Sequence, residues 1–343
     1  MIQNIYYDKG PCLSYKAFLN FIISNRGGGK TYGFKTWCKD DFEKTGHQFV
    51  WIRRYGTEIK KMKKKFFMDI AKRYPNDKFE IKGDNKYGTF LCNNKIIGYY
   101  IALSTSALCK SDSFPLVDKI VFDEFLIIGN TYHYLKDEVD LLLELIETIF
   151  RNREDDPTAV QPRGVYLLGN NITFANQYFL YFNIPNFNDR FYRNKERGIL
   201  VEKYTNEEFL TLKRKSKIGK LTAGTKYNDY AIENKSYLDN NKFIASKTNN
   251  SKFYCAIDYK GATYGFWLDY RQGNMYVNKK YDPNSYDHYC LTKEDHTINT
   301  FLIKNKNGAR INNLVFLFQA GCMYFENVQI KSQVFELLSY FVR

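Results

Sequence analysis

Histidine is scarce in this sequence, and cysteine has no pattern. The four histidines (His47, His133, His288, His296) fall into no recognisable ligand spacing, and the seven cysteines (Cys12, Cys38, Cys92, Cys109, Cys255, Cys290, Cys322) include no C-x-x-C pair. Neither a structural zinc site nor a disulfide framework is expected, and a reducing compartment fits. Long apolar runs are missing too: no stretch approaches the roughly 20 residues that a membrane-spanning helix requires. The opening "MIQNIYYDKG" has no basic region followed by an apolar one. No signal peptide is therefore expected, and the chain is read as soluble and cytoplasmic. Internal repeats and low-complexity tails are absent as well.

What is present is basic and globular. Of 343 residues, 44% are hydrophobic and 17% aromatic, enough for a sizeable core and, at this length, for two domains. The 51 basic residues outnumber the 37 acidic ones, giving a net charge of +14. Such an excess points to a partner made of phosphates or to an acidic surface. The codon bias of an AT-rich genome, rich in Lys, Asn, Tyr, Phe and Ile, is the alternative source.

Short apolar runs alternate with helical patterns through the first two hundred residues. "FLNFIIS", "QFVWIRR", "KIVFDEF" and "RGVYLLGN" read as buried strands, and Thr31–Phe42, Glu58–Tyr74 and Asp137–Phe150 as helices. This α/β alternation predicts a mostly parallel sheet covered on both faces. Residues 79–103 have the spacing of an antiparallel insertion. From Lys203 to Tyr237 the texture becomes charged and glycine-interrupted, as in a helix leading into a linker. Beyond it, "KFIAS", "KFYCAIDY", "ATYGFWLDY", "GNMYVNKK" and "YDHYCLT" read as short strands, followed by helices near 309–320 and 331–341. Strands first and helices last predict a separate α+β domain. The expected boundaries are 1–202, 203–237 and 238–343.

One stretch carries the clearest chemistry. In "SNRGGGKT" three glycines precede Lys30 and Thr31 at the end of a strand and the start of a helix. Residues without side chains let several backbone N–H groups face one anion, and the helix N-terminus adds its positive dipole end. Ser24, Asn25, Arg26, Gly27, Gly28 and Gly29 would then cradle phosphates, Lys30 would reach the β- and γ-phosphates of ATP, and Thr31 would ligate Mg2+. The usual pattern has glycine where Ser24 stands. The plain alternative is a glycine-rich turn before a helix.

A second motif supports the phosphate reading. "KIVFDEF" ends a strand with Asp123 and Glu124, suited to holding the magnesium ion and to activating a water. "DEVDLLLELIETIFRNRE" is an amphipathic helix ending at Arg151 and Arg153. Arg151 fits an arginine finger, and equally a cation complementing the helix dipole. Asn170, at the tip of "RGVYLLGNN", fits a γ-phosphate contact or an ordinary turn. Ile59, Met62, Phe66, Ile70 and Tyr74 form an apolar stripe whose flanking Lys60, Lys61, Lys64 and Lys65 are either a solvated face or a DNA contact. Arg53 and Arg54 are candidates for DNA or for the nucleotide pocket.

Taken together, "LSYKAFLNFIISNRGGGKT", "GHQFVWIRRY", "KIVFDEF", "ETIFRNRE", "LLGNN" and "SKFYCAIDYKGATYGFWLDYRQGNMYV" resemble the DNA-packaging ATPases, or encapsidation proteins, of small tailed phages with protein-primed genomes. The resemblance runs over the whole chain. It implies an additional-strand P-loop ATPase fold, then a linker and a smaller ribonuclease-H-like vestigial nuclease domain. It also implies a ring, pentameric in these motors, that hydrolyses ATP to move double-stranded DNA into an empty capsid. Lys30 and Thr31 match the phosphate loop, Asp123 and Glu124 the magnesium and water-activating acids, and Arg151 a finger acting in trans. The implied partners are DNA, the capsid portal and a structural packaging RNA, with no membrane. The implied location is the host cytoplasm, docked transiently on the portal vertex and absent from the mature virion. Asp258 stands where such a nuclease carries its first carboxylate, with Asp269 or Asp295 as companions, but an isolated strand-end acid is the expectation. A helicase acting on single strands and a scaffold whose glycine loop has lost its chemistry are the competing functions.

Overall fold

The computed structural model describes residues 6–127, 133–151, 153, 156, 158–173, 175–185, 187, 189–233, 242–303 and 308–341. By its contacts the chain divides into two units, residues 1–173 with 187–237, and residues 174–186 with 238–343.

The first unit is built on a nine-stranded sheet, from β1 (Leu19–Ser24), β2 (Gln48–Arg53), β3 (Phe79–Gly83), β4 (Tyr87–Cys92), β5 (Lys95–Ala102), β6 (Val117–Asp123), β7 (Gly164–Asn170), β8 (Phe191–Asn194) and β9 (Ile199–Tyr204). Their order is β3-β4-β5-β2-β6-β7-β1-β9-β8. The six central strands from β5 to β9 are parallel. The β3–β4 and β4–β5 pairs are antiparallel, as expected for residues 79–103. Strands β1 and β6 are buried along their whole length, which is why they read as unbroken apolar runs. One strand, β7, lies between β1 and β6, placing Ser24 opposite Asn170 and Asp123 opposite Leu168. The carboxyl ends of all three thus meet at one edge, where open α/β sheets bind ligands. Strand β9 runs through residue 202, and the boundary drawn at 237–238 lies outside the described residues.

The helices are α1 (Gly10–Ser14), α2 (Lys30–Thr45), α3 (Gly56–Lys63), α4 (Met68–Ala71), α5 (Glu138–Phe150), α6 (Gln177–Tyr181), α7 (Glu207–Lys215), α8 (Lys217–Thr222) and α9 (Lys226–Ala231), with α10 (Ala309–Gln319) and α11 (Val328–Ser339) near the end of the chain. Helix α2 stops at Gly46, whose left-handed backbone (φ 75°) lets its N–H close on the Phe42 carbonyl. The single helix expected over 58–74 is two, α3 and α4. Phe66 stacks on Phe90 at 4.1 Å and its neighbour Phe67 on Phe79 at 4.4 Å. Adjacent residues on a continuous helix diverge by about 100°, so seating both rings in one core requires the break. The stripe itself is real, with Ile59, Phe66 and Ile70 all buried.

The second unit holds β10 (Lys252–Tyr259), β11 (Ala262–Asp269), β12 (Asn274–Asn278), β13 (His288–Cys290), β14 (Phe301–Leu302) and β15 (Met323–Phe325), in the order β14-β13-β10-β11-β12-β15. Ile257, Phe266 and Val277 on the sheet pack with Leu314, Val334 and Leu337 of α10 and α11. The strands-then-helices order is corrected here, because β15 falls between the two helices and pairs in parallel with β12. "KFIAS" forms no strand; Ile244 makes an isolated bridge to Phe325.

Candidate nucleotide-binding site

The glycine loop joins β1 directly to α2. Gly27 and Gly29 adopt φ of 80° and 90°, a left-handed backbone that glycine enters without strain. Tyr6 lies close over the loop, since a Cβ on Gly29 would stand 2.9 Å from its side chain. Tyr7 ties the same N-terminal segment down through its N–H to the Gly28 carbonyl (2.8 Å). Arg26 is exposed at the loop tip, whereas Ser24 and Asn25 are buried.

Lys30 is buried, and its ammonium is surrounded by acceptors. It donates to Ser24 Oγ (2.7 Å), Asn25 O (3.3 Å), Ser24 O (3.4 Å) and Asn170 Oδ1 (3.4 Å). Burial pulls its pKa down to about 8, against the opposing fields of Asp123 and Glu124. Ser24, the departure from the common glycine pattern, thus gives Lys30 its shortest contact. Asn170 joins the site by the register of β7 with β1.

The acids stand one strand away. Asp123 is buried at the end of β6 and accepts from Thr31 Oγ1 (3.0 Å) and Arg53 Nη1 (3.1 Å). Burial raises its pKa, and the nearby Arg53 works against that rise. Arg53 Nη2 also reaches Glu124 (2.5 Å) and Glu58 (3.3 Å). Burial disfavours the Arg53 charge, but Asp123, Glu124 and Glu58 outweigh it and hold the guanidinium protonated. Glu124 is a non-glycine residue at φ 60°, with its side chain 57% exposed into the cavity. Arg54 fixes that turn from beneath, donating to the carbonyls of Glu124 (3.3 Å) and Phe125 (2.7 Å). Its guanidinium forms a fully buried bidentate pair with Glu138 at 2.6 and 2.8 Å.

Arg26–Thr31, Asp123, Glu124 and Asn170 line an open cavity of about 1700 Å3, together with Tyr6, Asp8, Tyr32, Arg190 and Thr205–Glu208. A triphosphate with its magnesium fits this donor set. The glycine loop, the Lys30 ammonium and the paired Thr31 hydroxyl and Asp123 carboxylate face one space.

Several expectations need correction. Arg53 and Arg54 are not DNA contacts in this arrangement: the first is engaged by three acids of the pocket and the second is wholly buried. Lys60, Lys61, Lys64 and Lys65 are exposed, as a nucleic-acid face requires. Arg151 is exposed, with Nη2 on the Lys110 carbonyl, and does not line the cavity beside Lys30. Arg153 is buried and donates to the carbonyls of Phe114, Val117, Ile149 and Val160. In the second unit Asp258 is held by Thr263 (2.7 Å) and His288 (2.9 Å), and Asp269 by Thr248. Asp295 instead caps the turn at Lys260 and Gly261. Among the described residues no three His, Cys, Asp or Glu side chains converge as a metal site.

The family model for the podovirus DNA encapsidation protein (Gp16) matches residues 1–341. The DNA packaging protein of Bacillus phage PZA is 36% identical over 339 residues, 98% of this chain and 98% of that protein. A solved structure of the bacteriophage Phi-29 viral genome packaging motor assembly is similar over 98% of this chain and 99% of its own, with 35% identity and a TM-score of 0.80. The crystal structure of the N-terminal domain of the DNA packaging ATPase from bacteriophage phi29 is similar over 60% of this chain and 100% of its own, with 35% identity and a TM-score of 0.52.

Proposed function

Because this chain belongs to the podovirus DNA encapsidation protein (Gp16) family, we propose that it is the ATP-hydrolysing subunit of a ring that drives double-stranded viral DNA into a capsid. The observation that carries this reading is the convergence of Lys30, Thr31, Asp123 and Glu124 at the carboxyl edge of one parallel sheet. The ring docks on the capsid portal in the host cytoplasm, with five subunits and a structural packaging RNA as its expected complement.

Magnesium-ATP, when bound, supplies an electrophilic γ-phosphoryl group and a divalent charge. Lys30 exchanges the oxygens of Ser24, Asn25 and Asn170 for phosphate oxygens, and the backbone amides of residues 27–31 add fixed dipoles. Thr31 and Asp123 are the residues that would hold the metal. Glu124, on its left-handed turn, takes the proton of the attacking water. Arg53 holds Glu124 toward Asp123, so the base is free to act only as that contact loosens. Arg151 serves a neighbouring subunit's γ-phosphate in this reading and neutralises transition-state charge there; its exposure, away from its own pocket, supports that role. Exposed lysines such as Lys60, Lys61, Lys64 and Lys65 meet the DNA backbone. Phosphate contact without base reading suits a motor that must grip every base pair alike.

Calorimetry with magnesium and ATP tests the foundation. Wild-type protein should bind and release heat, and Lys30→Ala should not. No uptake by the wild type would sink the motor reading.

A further inference from the structure

We infer that Lys213 is a second cationic ligand for the nucleotide phosphates, delivered in cis by α7. The inference rests on the nucleotide reading of the cavity and extends it to a residue outside the glycine loop and the acidic strand.

The chain leaves β9 along the cavity rim, where Thr205–Glu208 form part of the lining. Asn206 caps α7 there, its side chain accepting the Phe209 N–H at 3.1 Å. Phe209 and Lys213 are four residues apart and share one helical face. That face is turned to the phosphate loop. A Cβ placed on Gly27 would lie 3.5 Å from Lys213 Nζ and 3.9 Å from the Phe209 ring. The Phe209 ring also meets Tyr6 at 6.2 Å, and Tyr6 covers Gly29. A second tether runs from Asn25 Nδ2 to the Ile232 carbonyl (3.5 Å), and Arg214 pairs with Glu233 beside it. The segment from α7 to residue 233 therefore touches the loop at two places.

Charge makes the case specific. The Lys213 ammonium lies over the Phe209 ring at 5.5 Å, and no carboxylate among the described residues pairs with it. Its neighbour Arg214, by contrast, is neutralised by Glu233. An unneutralised ammonium beside a concavity of N–H dipoles adds like charge to like, an arrangement that an anion in the loop relieves. The anion chemistry that suits both is a nucleoside polyphosphate.

Binding of the fluorescent magnesium complexes of ATP and ADP to the full chain provides the test. Lys213→Met keeps the packing over Phe209 and should weaken both nucleotides about tenfold, as expected for losing one charge-assisted contact. Lys213→Arg should stay within about threefold of wild type. Hydrogen exchange gives an arm that needs no variant: magnesium-ADP should slow exchange of the α7 amides in the wild type. Unchanged α7 exchange in nucleotide-bound wild type, or Lys213→Met binding within about twofold of wild type, overturns the inference. Should wild type bind while Lys30→Ala does not and Lys213→Met is unaffected, the nucleotide reading survives and only the Lys213 role falls. Absence of wild-type binding overturns both.

Discussion

Arg151 and Arg153 lie two residues apart at the end of α5, and the structure gives them opposite fates under mutation. Arg153 is buried, and its guanidinium is the donor for the carbonyls of Phe114, Val117 and Ile149 at close range, with Val160 at 3.4 Å. Removing it strands the Val117 and Ile149 carbonyls, while that of Phe114 keeps the Val117 N–H at 3.0 Å. A cavity of about 430 Å3 adjoins the site and admits water, so the low end of the range applies, about 1 kcal/mol for each group. Arg153→Ala should therefore destabilise by about 2 kcal/mol, or about 4–8 °C in melting temperature for a unit of this size. Arg151 offers a single exposed contact to the Lys110 carbonyl, and Arg151→Ala should change stability by no more than about 0.5 kcal/mol.

Turnover should show the reverse. In assembled rings Arg151→Ala should lower ATP hydrolysis by about a thousandfold or more, the range for losing an arginine finger. Mixing Arg151→Ala subunits with Lys30→Ala subunits should restore part of it, because the second supplies the finger that the first lacks. Thermal scans and phosphate release on the same preparations separate the two arginines. A stable Arg153→Ala protein, or full turnover by Arg151→Ala rings, would refute this division of roles. Failure of the mixed rings would return Arg151 to a helix-capping part.

Four further outcomes are expected. Lys30→Ala should abolish nucleotide binding in calorimetry, and residual affinity within about tenfold of wild type would show that the loop holds phosphate without it. Glu124→Gln should bind ATP with unchanged affinity yet release phosphate at least about a hundredfold more slowly, and equal rates would exclude it as the base. Arg54→Lys keeps the charge but cannot reproduce the fork on Glu138 together with both backbone contacts; turnover should fall with nucleotide affinity unchanged, and normal turnover would count against its positioning role. Burial alone would raise the pKa of Asp41, but hydrogen bonds from Arg163 and Lys119 outweigh it and leave it below the ordinary value. Its folded pKa lies below the unfolded one, so that stabilisation is complete above about pH 4 and is lost as pH falls through the folded value. Asp41→Asn should flatten the acid limb of a stability curve, and an unchanged limb would assign acid unfolding to other groups.

The phosphate loop was legible because its parts are contiguous: strand, glycines, lysine and helix follow one another within a dozen residues. Asp123 and Glu124 were legible for a related reason, since two acids ending an apolar strand must emerge at its carboxyl edge. Arg53 and Arg54 were not. Alternation along β2 and its exit sends neighbours to opposite sides. Nothing local says that one will meet acids 70 residues away and the other Glu138, 84 residues away. The break between α3 and α4 was hidden because the apolar stripe keeps its period through it, and only the depth of the aromatic core shows that Phe66 and Phe67 both turn inward. Three residues of β15 are too few to display any periodicity. Lys213 sits in a charged run of the kind that usually faces solvent, and its nearness to Gly27 exists only once α7 is folded back on the loop.

Those distant partners also explain why α5 begins and ends where it does. Its first residue, Glu138, is the buried partner of Arg54, and Arg54 grips the backbone at Glu124 and Phe125. Its far end carries Arg151, about 20 Å away along a helix of 13 residues. A helix is stiff along its axis, and both of its ends are tied, at Glu138 by the ion pair and at Ile149 by Arg153. In the proposed ring, a shift of the Glu124 turn as its pocket fills or empties must either break a fully buried ion pair or move α5. Breaking such a pair by separating its partners costs about 3–5 kcal/mol. Moving the rod instead would displace the arginine offered, in that ring, to the next subunit. In that proposed ring the Arg54–Glu138 pair, invisible as chemistry in the sequence, would let one pocket's state be felt at its neighbour's phosphate.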